Sequence, residues 1–137
     1  MSEKEKIKRF MRDLGNALAR FKEVTEVSLE ENEFAIEATI QCFEFSFELF
    51  WKTLKLLLQE NVGVEVRGPK PVLIEAYAQE WVNDEKKWID LLDARNLTSH
   101  VYNEQRAQEI YEMILKNASM MHIDYAALKE RFADYLK

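Results

Sequence analysis

Arg95 and His100 stand five positions apart in Asp93-Ala94-Arg95-Asn96-Leu97-Thr98-Ser99-His100-Val101-Tyr102. Their types suit cleavage of a phosphodiester with no metal and no cofactor. Attack of an RNA 2′-hydroxyl on the adjacent phosphorus needs a base, then an acid for the leaving oxygen. Histidine titrates near neutrality and can take either role. The attack also builds negative charge on the phosphoryl oxygens, and arginine offers them a permanent charge on a planar fork. Asn96 can orient the imidazole or donate to the phosphate, and Tyr102 can add a hydrogen bond. The other imidazole, His122, receives no role.

Spacing alone does not decide the matter. Residues five apart on an α-helix diverge by about 140°. On a straight helix Arg95, Ser99 and Tyr102 share one stripe, while Asn96, His100 and Asn103 form the next. Arg95 and His100 converge only if the helix loosens near Thr98-Ser99, or if a two-fold axis joins two copies of the segment. In a dimer each chain brings one such histidine, and the base and acid roles divide between them. A plainer alternative stays open: Arg95 pairs with Asp93 or a Glu side chain, and His100 and Tyr102 close the helix by hydrogen bonds.

The elements that must position these residues read as helices. Three Gly and two Pro in 137 residues leave long stretches without breakers, which argues for an all-α single domain over 1–137. Ser2-x-x-Glu5 is a capping box before a helix ending near 26, with Ile7, Phe10, Met11, Leu14, Leu18 and Phe21 at helical spacing. Ser28-x-x-Glu31 predicts a second helix from about 30 to 61. Phe43, Phe47, Phe50, Trp51, Leu54, Leu57 and Leu58 form its main stripe; Phe45, Leu49 and Leu56 fall elsewhere and call for a second burial surface, most simply a subunit interface. Glu44, Glu48 and Lys52 make its polar stripe.

A loop then leads through Pro69 and Pro71 into a third helix over about 71–81, with Leu73, Ile74, Tyr77 and Trp81 inward. Asn83 or Asp84 caps a fourth helix carrying Trp88, Leu91, Leu92 and Arg95. Asn103 caps a fifth, with Ala107, Ile110, Tyr111, Ile114 and Leu115 inward. Asp124 is expected to open a short last helix holding Leu128, Phe132 and Leu136.

Composition narrows the function classes. A net charge of −6 excludes a protein that coats nucleic acid by bulk phosphate neutralisation, so any RNA contact must be local. Lys4, Lys6, Lys8, Arg9 and Arg12 are the one concentrated positive run; it reads as a solvated face or as a seat for RNA or an acidic partner. The single Cys42, in an apolar run, reads as a buried core thiol in a reducing compartment. With no signal-peptide or membrane-span pattern, the protein is expected in the cytoplasm, away from membranes.

Three blocks carry a resemblance: Phe43-Glu44-Phe45-Ser46-Phe47-Glu48-Leu49-Phe50-Trp51-Lys52-Thr53-Leu54-Lys55, then Pro71 with Glu75-Ala76, then Trp88 through Tyr102. In order and spacing the chain, from about residue 5 to 125, resembles the HEPN-type proteins described as nucleotidyltransferase substrate-binding subunits. The resemblance implies an up-and-down bundle of four or five helices that forms a homodimer. It implies a partner, a minimal nucleotidyltransferase encoded alongside as a toxin–antitoxin pair. Relatives use an Arg-polar-x3–5-His motif as a metal-independent endoribonuclease, matched here by Arg95, Asn96 and His100, with Ser99 in support. In some relatives the transferase silences the toxin by attaching AMP to a tyrosine two residues after the His, the position of Tyr102. The older view of the family, a non-catalytic scaffold presenting a substrate to the transferase, is the alternative.

Overall fold

Proline and capping residues punctuate the chain where the helices of the computed structural model begin, and the structure describes residues 2–27, 34–100 and 103–137. The order is α1 (Glu3–Thr25), α2 (Ala35–Asn61), α3 (Pro69–Ala78), α4 (Glu85–Thr98), α5 (Glu104–Arg131) and a closing 3₁₀ turn, Ala133–Leu136. No strand occurs among the described residues. Buried side chains from every α-helix join in one apolar cluster.

Caps set most of the starts. The Ser2 side chain accepts from Glu5 N at 3.1 Å, Asp84 from Lys87 N at 3.0 Å and Asn103 from Arg106 N at 2.8 Å, each satisfying an orphan donor of the first turn. α2 opens at Ala35, not near 30: Phe34, at φ −95° and ψ 7°, flanks it and accepts from Ala38 N. The Ser28/Glu31 box lies outside the described residues. α3 starts at Pro69, two residues before the expected start, because Pro69 takes the N-terminal position that suits a missing N–H. It stops at Ala78 because Glu80 adopts φ 63°, letting Glu80 N reach Tyr77 O and Trp81 N reach Ala76 O in a Schellman closure. This frame buries Val72, Leu73, Ala76 and Trp81 but leaves Ile74 and Tyr77, expected inward, more than 40% exposed. Leu115 and Leu136 likewise face outward rather than in.

The expected break at Asp124 is absent. α5 runs through it to Arg131, since no Gly or Pro interrupts 104–131 and the Asp124 side chain is engaged elsewhere. That carboxylate is 0% exposed; it accepts from Trp88 Nε1 at 2.7 Å and from Asn83 Nδ2 at 2.8 Å, so it ties α5 to the start of α4 instead of capping a helix. Trp88 packs edge-on against Phe50 at 4.6 Å between ring centres and lies 6.1 Å from Phe47. Between α5 and α1, Tyr125 Oη donates to Met11 O at 2.9 Å beside Gly15, where an added Cβ would collide with the tyrosine hydroxyl. α1 and α2 run antiparallel: Lys6 and Phe10 near the start of α1 share a groove with Lys55 and Gln59 near the end of α2, while Phe21 near the end of α1 lies 6.2 Å from Phe43.

Burial, and secondarily the charge of Asp84, push the Asp124 carboxyl above its ordinary value; the hydrogen bonds from Trp88 and Asn83 oppose the shift. The folded chain therefore keeps this proton to higher pH than the unfolded chain. Its contribution is fully favourable below the ordinary carboxylate pKa and falls as pH rises through the raised folded value. Urea unfolding across a pH series should show Asp124→Asn flattening that acid-side slope. Asp124→Leu should cost roughly 1–3 kcal/mol by leaving the Trp88 N–H without an acceptor in the core.

Candidate active site at the end of α4

Trp88 and Arg95 are two turns apart on α4, so the packing that seats Trp88 against α2 also brings Arg95 to α2. There the guanidinium Nη2 pairs with Glu48 Oε1. Its Nη1 donates to Asn96 Oδ1 at 3.1 Å. Glu48 is held in turn: its Oε2 accepts from Trp51 Nε1 at 2.9 Å and lies 3.9 Å from Lys52 Nζ. Arg95 and Glu48 keep 31% and 30% of their side chains exposed, so the pair sits at the surface with its fork fixed and one edge open to solvent.

Hydrogen bonds tighten the helix end. Thr98 Oγ1 donates to Arg95 O at 2.6 Å, Ser99 Oγ to Asn96 O at 3.2 Å and His100 N to Leu97 O at 2.9 Å. α4 thus ends at Thr98 in i→i−3 closures, which use three of the carbonyls a helix terminus leaves unpaired. His100 follows, exposed, two residues beyond the helix. Ser99 bonds back to the backbone and so supports the terminus. Tyr102 lies outside the described residues. Asn96 spends its carbonyl oxygen on Arg95, which leaves its amide nitrogen as the donor for another group.

Arg95 does pair with a glutamate, as the plainer alternative holds, but across the bundle. Glu48 is the middle member of the polar stripe that it forms with Glu44 and Lys52. Phe47 and Phe50 on either side of it turn to the core and bring Glu48 to the edge of α4, a placement that no local pattern marks. Cys42, expected in the core, is only half-buried; it lines the α1–α2 groove, and burial pushes its thiol pKa up. His122 stacks on Phe21 at 5.9 Å on another part of the bundle, its pKa lowered by burial and then by Lys22.

Charge is segregated around the site. A groove of about 500 Å³ at the junction of α4 and α5 includes Thr98 and Asn103 and is lined by Glu37, Glu44 and Glu104 with no cation. On the other side of Glu48, Lys6, Lys52 and Lys55 line a groove of about 270 Å³ with Phe10 and Trp51 and no carboxylate. No group of three metal-ligating side chains occurs among the described residues.

A family model described as nucleotidyltransferase substrate binding protein like matches residues 9–130, and the chain belongs to that family. It is 36% identical over 83 residues, 58% of this chain, to a protein of Haemophilus influenzae described as probable ribonuclease HepT. The match spans 57% of that relative's length. A crystal structure from Thermus thermophilus superposes with a TM-score of 0.76 at 32% identity, covering 85% of this chain and 98% of the other. No helix among the described residues is long and apolar enough to cross a membrane.

Proposed function

We propose that this protein is the ribonuclease subunit of a two-component system with a minimal nucleotidyltransferase, working in the cytoplasm as a HEPN-type homodimer. The observation that carries the reading is the Arg95 fork, held by Glu48 and Asn96 at the end of α4 just before His100, in a chain similar to a probable ribonuclease. In the proposed reaction one imidazole takes the proton of the 2′-hydroxyl, and that oxygen bonds to the phosphorus. The bond from phosphorus to the 5′-oxygen breaks, and the imidazole of the second subunit gives that oxygen a proton. Arg95 stabilises the charge on the phosphoryl oxygens, and the Asn96 amide nitrogen adds a donor. The products are a 2′,3′-cyclic phosphate and a 5′-hydroxyl. A nucleotidyl group on Tyr102, two residues after His100 in the sequence, would add bulk and negative charge and so silence the protein.

The second reading is a non-catalytic substrate-binding subunit of a transferase. It is favoured by the family's description and by the Glu48 partner that already neutralises Arg95.

The dimer draws support from α2. Phe45 is 63% exposed beside a groove of about 550 Å³ between α1 and α2, floored by Ala17, Cys42 and Leu49. Asp13 and Arg20, two turns apart on α1, line the same groove. Across a two-fold axis each Asp13 can meet the other chain's Arg20, the self-complementarity an isologous contact needs. Phe45 and Glu48 are i, i+3 neighbours, so this interface would bring the second chain beside Arg95.

Purified protein should cut RNA with metal chelated, leaving cyclic phosphate ends. Arg95→Ala and His100→Ala should each lower kcat by at least about 100-fold while the melting temperature holds. No cleavage by the wild type, with tight transferase binding that survives both substitutions, would decide for the binding subunit; cleavage intact in both variants would place the chemistry away from Arg95 and His100. Phe45→Glu should convert dimers to monomers on gel filtration and abolish cleavage; a persistent dimer would place the interface elsewhere.

A further inference from the structure

We infer that the groove lined by Lys6, Phe10, Trp51, Lys52 and Lys55 is the seat of a single-stranded RNA backbone leading to Arg95. The inference rests on the ribonuclease reading and adds the side from which the substrate reaches the site. Three cations and two aromatic rings line this groove, and none of its lining residues is acidic. In a chain of net charge −6 such a surface is a local exception. Single-strand binding sites combine these two elements, cations that track phosphates and rings on which bases stack.

Continuity with Arg95 is direct. Trp51 and Lys52 both touch Glu48, and Glu48 holds the Arg95 guanidinium. From Glu48 to Lys55 is about 10 Å along α2, so phosphates on either side of the one at Arg95 fall within reach of long lysine side chains. Trp51 is half-buried, its indole N–H fixed on Glu48 and Lys52 Nζ 6.0 Å from its ring centre, so the ring on which a base would stack is held in place.

The opposite approach is acidic and repels a polyanion. Beyond Arg95, toward the start of α5, Glu37, Glu44 and Glu104 line the neighbouring groove. α2 thus carries carboxylates on one side of the Arg95 contact and lysines on the other, a gradient that orients the strand.

Anisotropy of a fluorescein-labelled single-stranded RNA of about 20 nucleotides, titrated with the intact protein carrying His100→Ala, tests this. Lys52 is left in place because it touches Glu48. Lys6→Glu with Lys55→Glu should weaken binding at least tenfold. The pair should also flatten the slope of log Kd against log salt by about 1.4, the share of two phosphate contacts on a single strand. Lys116→Glu with Lys129→Glu, an equal change in net charge elsewhere, should shift binding by less than about threefold. Phe10→Ala, which leaves the contacts to Glu48 in place, should weaken binding about tenfold with the salt slope unchanged, the mark of a lost stack. Equal losses from the two lysine pairs would overturn the inference by reducing it to net charge. RNA binding unchanged by Lys6→Glu/Lys55→Glu would also overturn it, and in favour of an acidic protein partner if that variant lost binding to polyglutamate. Protein that binds RNA through these lysines yet never cuts it would sink the ribonuclease reading and leave the groove standing. Full cleavage by the Lys6→Glu/Lys55→Glu variant would do the reverse.

Discussion

The grip on Trp88 is the constraint from which the rest of the molecule follows. One indole is packed against Phe50 and Phe47 of α2 and donates its N–H to the buried Asp124 of α5. It therefore ties α4 to both long helices at once, by apolar contact on one side and a charge-assisted hydrogen bond on the other. A helix of 14 residues has little stability of its own. Its direction is set by that anchor, and direction is what the site needs, since Arg95 reaches Glu48 only because Trp88 has fixed the helix two turns earlier.

Burying a carboxylate to hold one indole is costly. The structure offsets part of that cost by giving Asp124 three N–H donors, from Trp88 and from the side chain and backbone of Asn83, and part by letting its proton affinity rise. The same residue shows where sequence reasoning stops. An Asp followed by apolar residues at helical spacing carries the local signature of a helix start. What makes Asp124 an interior residue is a partner 36 positions earlier in the chain, and no local pattern contains that.

Elsewhere the legible and the illegible divide along the same line. The stripes of α1 and α2, and the caps at Ser2, Asp84 and Asn103, depend on neighbours three or four residues apart, and they were readable. The faces of α3 were not, because they depend on where a ten-residue helix starts and stops, and a left-handed Glu80 decides the stop. At the candidate site, Arg95, Asn96 and His100 could be picked out as candidates by residue type together with the family resemblance of the surrounding blocks, since spacing alone does not decide. Glu48 could not, since its contact with Arg95 spans 47 positions. The surplus apolar residues of α2 were readable as an excess. Phe45 is the one that stays exposed, while Leu49 and Leu56 are partly covered by packing against the core cluster.

Glu48 also bears on how an acidic protein can handle a polyanion. An arginine with no partner at the surface would hold any passing phosphate by charge alone. Paired with Glu48, its net field is close to zero and its fork is already aimed. A phosphate must therefore be presented by something else, from a side where the field is positive, before it can compete for the guanidinium. α2 supplies that asymmetry with carboxylates at Glu37 and Glu44 and cations at Lys52 and Lys55, arranged along one helix on either side of the ion pair. On the proposed reading, net charge then says little about RNA contact. The order of charges along a single helix, relative to one fixed guanidinium, says more.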